Sequence, residues 1–173
     1  FYNKFKMQDK NYFLMTLHRP SNVDNQKKLQ KLIKNLAKLT YPFKLIFPAH
    51  LRTLKQINKE FGIPKNLKIL NPISYLQFIY LLKNSKAVIT DSGGVTEEAT
   101  LLKIPCLTLR SSTERPETID KGSNVLVDNN LSKLERYIDL IKKNKWKNSS
   151  VPSKWDGKAS ERIVRILVSL INK

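Results

Sequence analysis

Short apolar runs alternate with helical hydrophobic periods along the chain, and this alternation constrains the fold more than any other feature. The apolar runs predict buried strands at residues 12–17, 43–47, 67–70, 87–90, 106–109 and 125–127. Helical periods lie between the strands at 51–61, 75–84 and 95–102 and after the last strand at 131–145 and 159–171, and a further helix follows an N-cap predicted at Asp24. Strands that alternate with helices pair in parallel through right-handed crossovers. The sequence therefore predicts an α/β fold, a doubly wound, Rossmann-like parallel sheet.

The domain organisation follows from the length and from one linker-like stretch. A chain of 173 residues can bury one proper core, and the linker-like stretch lies at residues 145–153. We therefore predict a Rossmann-like domain over residues 1–145, followed by a linker and a closing C-terminal helix over residues 146–173. The first residue is Phe1 rather than Met, so we expect the chain to be a piece of a longer protein.

The expected compartment follows from the absence of membrane and export signals. No apolar run approaches the roughly 18 residues of a membrane span, and the N-terminus shows no signal-peptide pattern. We therefore expect a cytoplasmic protein with no membrane partner. The single cysteine, Cys106, lies in an apolar strand, so we expect it in the core; one cysteine excludes a disulfide framework.

The net charge of +18 raises the question of a nucleic-acid partner. The 32 basic residues are mostly lysines spread along helix faces, as at Lys27, Lys31 and Lys34. No cluster of five or six basic residues occurs, and aromatic residues are not interleaved with them to stack bases. We therefore expect a solvated, compositionally biased surface and no nucleic acid, with a basic nucleic-acid-binding module as the distant alternative.

The segment ITDSGGVTEEA, residues 89–99, is the strongest candidate for a binding site. Two of the five glycines, Gly93 and Gly94, follow Ser92 between a predicted strand and a predicted helix. Bare backbone at a helix N-terminus suits a phosphate or diphosphate, and a tight turn with an N-cap is the alternative. A carboxylate on Glu97 or Glu98 would repel a phosphate but would bind the hydroxyls of a ribose. The combination favours a nucleotide.

Two further strand ends carry side chains that could contact such a ligand. His18 and Arg19 follow the first strand, either as donors to a phosphate or leaving group or with the histidine capped by backbone. The loop 110–118 contains Arg115, a candidate for a bidentate diphosphate contact or for a surface salt bridge. The second histidine, His50, follows the next strand. No GxGxxG or Walker A pattern occurs, and two histidines without nearby cysteines argue against a metal site.

Together these motifs resemble the non-hydrolysing UDP-N-acetylglucosamine 2-epimerases. The resemblance rests on four segments in the family's order: LHRPSNVD at 17–24, FPAHLRT at 47–53, TDSGGVTEEA at 90–99 and TERPE at 113–117. It spans about residues 12–127. It implies one domain of a GT-B-like architecture, in which two Rossmann-like domains hold a UDP-sugar in the cleft between them. This chain resembles the C-terminal, nucleotide-holding domain.

The resemblance implies roles for four residues of the segment 89–99. Ser92, Gly93 and Gly94 would hold the diphosphate, and Glu98 would bind the ribose. Among the other matching residues, Arg115 would lie near the nucleotide phosphates.

The remaining matches concern the uracil and the reaction. Phe78 would pack near the uracil, and His18 would face the diphosphate leaving group as the catalytic residue. The implied reaction interconverts UDP-GlcNAc and UDP-ManNAc: UDP is eliminated to leave a 2-acetamidoglucal and then re-adds after inversion at C2. A departing diphosphate requires preorganised positive charge, and the reaction requires no cofactor.

Part of the family's machinery has no counterpart here. The acid/base carboxylates and several basic diphosphate contacts come from the family's N-terminal domain, and Pro20-Ser21 stands where many members carry a charged or small pair. We therefore expect the UDP-sugar-binding half of an epimerase, inactive alone. Its expected partners are UDP-GlcNAc or UDP, the N-terminal Rossmann-like domain and, in the full-length protein, a second copy in a homodimer. The alternatives are a hydrolysing UDP-GlcNAc 2-epimerase and the donor domain of a GT-B glycosyltransferase.

Overall fold

Six strands in the described part of the chain form one sheet, in the order β3-β2-β1-β4-β5-β6. The computed structural model describes residues 10–57 and 61–171. The strands are β1 Tyr12–Thr16, β2 Lys44–Pro48, β3 Leu67–Leu70, β4 Ala87–Thr90, β5 Cys106–Thr108 and β6 Asn124–Leu126. Every neighbouring pair is parallel. The doubly wound, parallel α/β fold expected from the sequence is therefore confirmed.

Eight helices of the described residues connect and flank the strands. They are α1 Pro20–Val23, α2 Gln26–Thr40, α3 Leu51–Gln56, α4 Tyr75–Lys83, α5 Gly93–Leu101, α6 Pro116–Asp120, α7 Leu131–Lys142 and α8 Ala159–Ile171. The helix predicted at 51–61 ends at Gln56 as α3, and residues 58–60 of that prediction lie outside the described residues.

The N-cap predicted at Asp24 is wrong. Asp24 follows the last residue of α1, and the side chain of Asn25 accepts a hydrogen bond from the Lys28 N–H as the N-cap of α2. The short helix α1 was not predicted, because four residues are too few for a hydrophobic period. Pro20 begins it, with a fixed φ that suits the first helical position.

Apolar side chains bury the sheet on both faces. On one face, Phe13, Met15 and Phe47 pack with Leu29 of α2 and Leu134 of α7. On the other face the core comprises Tyr12, Leu14, Ile46, Val88 and Cys106 together with Leu81 and Leu82 of α4 and Ala99 of α5. Burial on both faces explains why the strand sequences are continuous apolar runs rather than alternating ones.

Cys106 is confirmed as a core residue. Its side chain is fully buried, and burial raises the pKa of the thiol to about 12. A thiol held so far above its usual pKa is protonated at neutral pH and behaves as a small apolar group.

The strand order places a topological switch point between β1 and β4. These strands are neighbours, yet β1 is followed by β2 and β3 on one side and β4 by β5 and β6 on the other. In open α/β sheets the crevice at the carboxyl ends of such a pair is where ligands bind. Here it is bordered by the loops that contain His18 and Asp91.

The segment after α7 is attached to the sheet domain, but α8 is not buried. Trp146 Nε1 donates to the Ser123 carbonyl at 3.1 Å, and Ser150 N donates to the Lys121 carbonyl at 2.8 Å. Helix α8 has no buried residue. The domain boundary at residue 145 stays a prediction. Within residues 10–57 and 61–171, no helix combines the length and the apolar character needed to span a membrane.

Candidate functional site

The glycine-rich segment forms the first turn of α5. The helix begins at Gly93 rather than near Val95, because both glycines adopt helical backbone conformations, and Ser92 is its N-cap. The Ser92 side chain makes no capping hydrogen bond, so it leaves the N–H groups of the first turn uncapped. Around Gly94 an added Cβ would meet no atom within 4 Å. A ligand can therefore approach this backbone closely.

Asp91 joins the loops that follow β1 and β4. Its carboxylate is fully buried and accepts hydrogen bonds from the backbone N–H groups of His18, at 3.1 and 3.2 Å, and of Arg19, at 3.0 Å. Asn22 Nδ2 donates to the same carboxylate at 2.9 Å. Asp91 Oδ1 also lies 2.9 Å from His18 Nδ1. The carboxylate thus fixes the β1 loop beside the residue that precedes the glycine turn.

The two histidines at the strand ends have different surroundings. The His18 side chain is held at Nδ1 by Asp91 and is otherwise about half exposed (52%). His50 is the N-cap of α3, where its Nδ1 accepts a hydrogen bond from the Arg52 N–H at 3.3 Å. The structure thus gives His50 a capping role and leaves one edge of His18 available to a ligand.

The two glutamates of α5 have different partners. Glu97 forms an ion pair with Arg115, whereas Glu98 receives a hydrogen bond from the Tyr75 hydroxyl of α4. Burial raises the pKa of Glu98; the hydrogen bond from Tyr75 opposes this shift, and the neighbouring Glu97 charge adds to it. Glu97 is engaged with a cation, and Glu98 presents a half-buried carboxylate beside a hydroxyl group.

Arg110 is the guanidinium found next to the glycine turn. Its Nη1 lies 3.7 Å from the position that a Cβ on Gly93 would take, and it is buried without a hydrogen-bond partner. Its Nη2 forms an ion pair with Glu114 at 2.8 Å, and this contact lowers the pKa of Glu114 to about 2. Arg115, the sequence-based candidate, is the N-cap of α6 and pairs with Glu97 instead.

Phe78 lies one helical turn after Tyr75 on α4, so the two side chains share a side of that helix. Phe78 is half-buried against the core cluster that contains Leu81 and Val88. The N-terminus of α4 is fixed by a capping box, in which Ser74 and Gln77 bond each other's backbone N–H groups. This places an aromatic ring on the helix that also contacts Glu98.

A cavity of about 360 Å³ lies at the same edge of the sheet. It is lined by Arg19, Ser21, Asn22, Leu109, Arg110, Ser111, Ser112, Asp128 and Asn129. Two guanidinium groups and several hydroxyl and amide groups thus surround a space large enough for part of a polar ligand. Among the described residues, no group of three or more His, Cys, Asp or Glu side chains could hold a metal ion.

Sequence reasoning missed several residues that build this site. Asp91, Asn22, Arg110 and Tyr75 were given no role, although Asp91 and Arg110 stand at the strand ends where ligands bind. The signal that could have identified Asp91 is an acidic residue directly after a fully apolar strand. An ionisable side chain at such a place is buried, and burial requires hydrogen-bonding partners.

Sequence comparison assigns the chain to a known group of proteins. The family model described as UDP-N-acetylglucosamine 2-epimerase matches residues 2–168. The UDP-N-acetylglucosamine 2-epimerase of Methanocaldococcus jannaschii is 44% identical over 177 residues, which cover 96% of this chain and 47% of that protein. The enzyme of Methanococcus maripaludis is 41% identical with the same coverage. The chain thus spans about half the length of the curated relatives it matches.

Solved structures show the same relationship. The UDP-GlcNAc 2-epimerase of M. jannaschii in complex with UDP-GlcNAc and UDP superposes with a TM-score of 0.77 at 43% identity, over 96% of this chain and 48% of that one. The Neisseria meningitidis enzyme bound to UDP-GlcNAc gives 0.79 at 32% identity, over 96% and 47%.

An Escherichia coli heptosyltransferase with ADP gives a TM-score of 0.54 at 18% identity, which shows a shared fold alone. The epimerase structures are GT-B-like and the chain covers about half of each, which confirms the expected architecture. From the family model and the sequence identities, the chain belongs to the UDP-N-acetylglucosamine 2-epimerase family.

Proposed function

We propose that this chain is the UDP-sugar-binding half of a UDP-GlcNAc 2-epimerase. The complete enzyme would interconvert UDP-GlcNAc and UDP-ManNAc by eliminating UDP and adding it back on a substrate inverted at C2. The observation that carries this proposal is the glycine turn at the start of α5, which lies at the switch point beside a buried guanidinium. Solved relatives bound to UDP-GlcNAc support the choice of ligand.

The diphosphate would bind at the N-terminus of α5. Gly93 and Gly94 offer backbone N–H groups that carry partial positive charge at a helix N-terminus. Ser92 would contribute its uncapped side-chain hydroxyl, because its own N–H donates to Thr90 Oγ1 at 3.0 Å. Arg110 Nη1 is buried without a partner, a state that costs free energy until an acceptor arrives. A phosphate oxygen beside Gly93 would satisfy this donor after displacing the Glu114 carboxylate, whose Oε1 lies 2.9 Å from the position of a Cβ on Gly93. Arg115 remains a second candidate for the phosphates, on condition that it exchanges Glu97 for the ligand.

The nucleoside would bind along α4 and α5. Glu98 would accept hydrogen bonds from the ribose hydroxyls, because Glu97 is already paired with Arg115. Phe78 would pack near the uracil from the adjacent helix. The order along the site is then diphosphate at the first turn of α5 and ribose one turn later, which matches the connectivity of UDP.

His18 would act on the leaving group. Breaking the bond between C1 and the diphosphate oxygen leaves negative charge on that oxygen, and a preorganised donor stabilises it. His18 follows β1, and β1 is the neighbour of the strand that leads into the glycine turn. The exposed edge of its ring is therefore available to the departing diphosphate.

The part of the relatives' length that this chain does not cover would supply an N-terminal domain as its partner. Helix α8 exposes half or more of seven apolar side chains: Ile163, Val164, Ile166, Leu167, Val168, Leu170 and Ile171. An apolar helix face of this size is normally covered in the complete protein. We propose that it packs against the N-terminal domain, which would also carry the acid/base carboxylates, so the chain alone would bind UDP-sugars without turning them over.

Product analysis by NMR tests this function. The 173-residue chain is incubated with UDP-GlcNAc, and the anomeric and C2 proton signals are followed. We expect broadened substrate signals and no product. UDP-ManNAc formed by this chain alone would overturn the proposal that it binds UDP-sugars without turning them over. Free N-acetylmannosamine would identify the hydrolysing reaction instead.

A further inference from the structure

The contact between Asp91 and His18 defines which nitrogen of the imidazole carries a proton. His18 Nδ1 lies 2.9 Å from Asp91 Oδ1, a hydrogen-bonding distance. An ionised carboxylate can only accept hydrogen bonds, so Nδ1 must be the donor. In the neutral ring the proton therefore resides on Nδ1, and Nε2 is an unprotonated acceptor.

The Asp91 carboxylate cannot turn away from this contact. Its Oδ2 accepts from the backbone N–H groups of His18 and Arg19 and from Asn22 Nδ2, at 3.2, 3.0 and 2.9 Å. Asn22 is itself held through its Oδ1, which accepts from Asn129 Nδ2 at 3.3 Å. Three donors on Oδ2 leave Oδ1 facing the imidazole, with a second contact from the His18 N–H at 3.1 Å. The buried carboxylate is thus fixed in one orientation.

Asp91 also lies directly before Ser92 and Gly93, so the ring is anchored to the turn that begins α5. Holding Nδ1 on the buried side leaves the opposite edge of the ring, which carries Nε2, as the edge available to a ligand. The same residue thus sets the tautomer of His18 and ties it to the glycine turn.

We propose that Asp91 is a positioning residue that holds His18 in the Nδ1–H tautomer and presents Nε2 to the leaving diphosphate. The leaving-group role rests on the proposed function, whereas the tautomer does not. When the ring is protonated, Nε2–H donates its proton to the diphosphate oxygen as the C1–O bond breaks and its electron pair moves to that oxygen. The C2 proton goes to a base outside this chain. When UDP adds back, the proton returns to His18 Nε2, and Asp91 stabilises the imidazolium that forms again.

Nitrogen-15 NMR of the two imidazoles tests the proposal without ligand or turnover. The chain contains only two histidines, and His50 provides an internal control, because its Nδ1 accepts from the Arg52 N–H and its proton must therefore reside on Nε2. At a pH at which both rings are neutral, we expect opposite tautomers: Nδ1–H for His18 and Nε2–H for His50. An Nε2–H tautomer at His18 would overturn the proposal.

The Asp91→Asn variant gives a second, independent readout. Three donors surround the Oδ2 position, so the amide oxygen should occupy it and the amide NH₂ should face His18 Nδ1. We expect His18 to switch to the Nε2–H tautomer while His50 is unchanged. A folded variant that keeps His18 in the Nδ1–H form would contradict the role of Asp91. If the variant does not fold, the tautomer of the unmodified chain decides the question.

Neither outcome depends on whether the chain binds UDP. A chain with the expected tautomers that fails to bind UDP would contradict the proposed function and leave the role of Asp91 intact. A chain that binds UDP but has an Nε2–H tautomer at His18 would contradict the role of Asp91 and leave the proposed function intact.

Discussion

Arg110 Nη1 lies 3.7 Å from the position that a Cβ on Gly93 would occupy, and it is buried without a hydrogen-bond partner. The side chain reaches this place from the end of β5, while Gly93 follows β4, the neighbouring strand. Parallel strands end at the same edge of a sheet, so the two loops converge there. The Glu114 carboxylate, which pairs with Arg110 Nη2, lies at the same place, with Oε1 2.9 Å from the Gly93 Cβ position. An anion bound at the uncapped N-terminus of α5 would therefore displace this carboxylate and take over its contact with Arg110.

Replacing Arg110 tests whether this charge binds the diphosphate. We expect Arg110→Gln to weaken UDP binding by about 1.5–3 kcal/mol, the contribution of a hydrogen bond to a charged group, or roughly ten- to a hundredfold in Kd. Calorimetric titration with UDP measures the loss. Arg136→Gln is the matched control, since Arg136 is exposed on α7 and stacks on Tyr137.

Arg115→Gln separates the two candidate guanidinium groups. If Arg110→Gln leaves the affinity for UDP unchanged and Arg115→Gln lowers it, Arg115 contacts the diphosphate, as the sequence predicts, and Arg110 does not.

Glu98 is expected to recognise the ribose. Glu98→Ala should lower the affinity for UDP by about 1.5–3 kcal/mol, because it removes a charge-assisted hydrogen-bond acceptor. The loss should be smaller for 2′-deoxy-UDP, which offers one hydroxyl fewer. Calorimetry on both ligands gives the comparison, and Glu135→Ala, at an exposed position of α7, controls for charge alone. Equal affinities for UDP in the Glu98→Ala variant and the unmodified chain would rule out the ribose assignment.

The protonation of Glu98 should depend on Tyr75. The hydrogen bond from the Tyr75 hydroxyl lowers the pKa of Glu98 against the larger effect of burial, which raises it. Tyr75→Phe removes the opposing contact, so the Glu98 pKa should rise further. Binding that requires the carboxylate is lost as pH falls through that pKa, and the loss should therefore begin at a higher pH in the variant.

Carbon-13 NMR of the Glu98 side-chain carboxyl follows this titration directly. Tyr41→Phe is a suitable control, because Tyr41 is another exposed tyrosine, located at the end of α2. A titration curve of Glu98 that is the same in Tyr75→Phe and in the unmodified chain would show that the hydroxyl does not act on this carboxylate.

Two glycines are expected to respond oppositely to alanine. At Gly122 a Cβ would lie 2.5 Å from the Thr118 carbonyl oxygen and 2.6 Å from Thr100 Oγ1, so Gly122→Ala should destabilise the fold by about 1–3 kcal/mol. At Gly94 the space is open and the backbone helical, so Gly94→Ala should keep or slightly raise stability. Its methyl group would intrude on the diphosphate and weaken UDP binding.

Urea unfolding and UDP titration measure both effects. A stable Gly122→Ala variant would show that the Thr118 backbone can move aside, and undiminished UDP binding by Gly94→Ala would place the ligand elsewhere.

The sheet was predictable because burial on both faces leaves a strong signal in the sequence. Strands such as Tyr12–Thr16 and Ala87–Thr90 appear as unbroken apolar runs, and helix α2 as a stripe of leucine and isoleucine. The caps were less predictable, since Asp24 and Asn25 are adjacent and both suit an N-cap. Helix α1 was missed because one turn carries no period.

The site was predictable only in part. The glycine turn and both glutamates are visible in a single short segment. Charge alone leaves Glu97 and Glu98 equivalent, the family resemblance favours Glu98 for the ribose, and the pairing of Glu97 with Arg115 adds a structural reason for the same choice. The Asp91 contacts to the β1 loop connect residues about 70 positions apart, and the approach of Arg110 to Gly93 is likewise a tertiary contact. No local pattern encodes such pairs, since they depend on which strands become neighbours.

Labelling the glycines with nitrogen-15 gives the most direct test of the central claim, that the first turn of α5 binds UDP. The chain has five glycines, and hence at most five glycine amide signals. On addition of UDP we expect saturable shifts of Gly93 and Gly94, while Gly62 and Gly157, which adopt positive φ in loops outside the site, remain in place. Unmoved Gly93 and Gly94 signals at millimolar UDP would contradict the assignment of this turn as the diphosphate site.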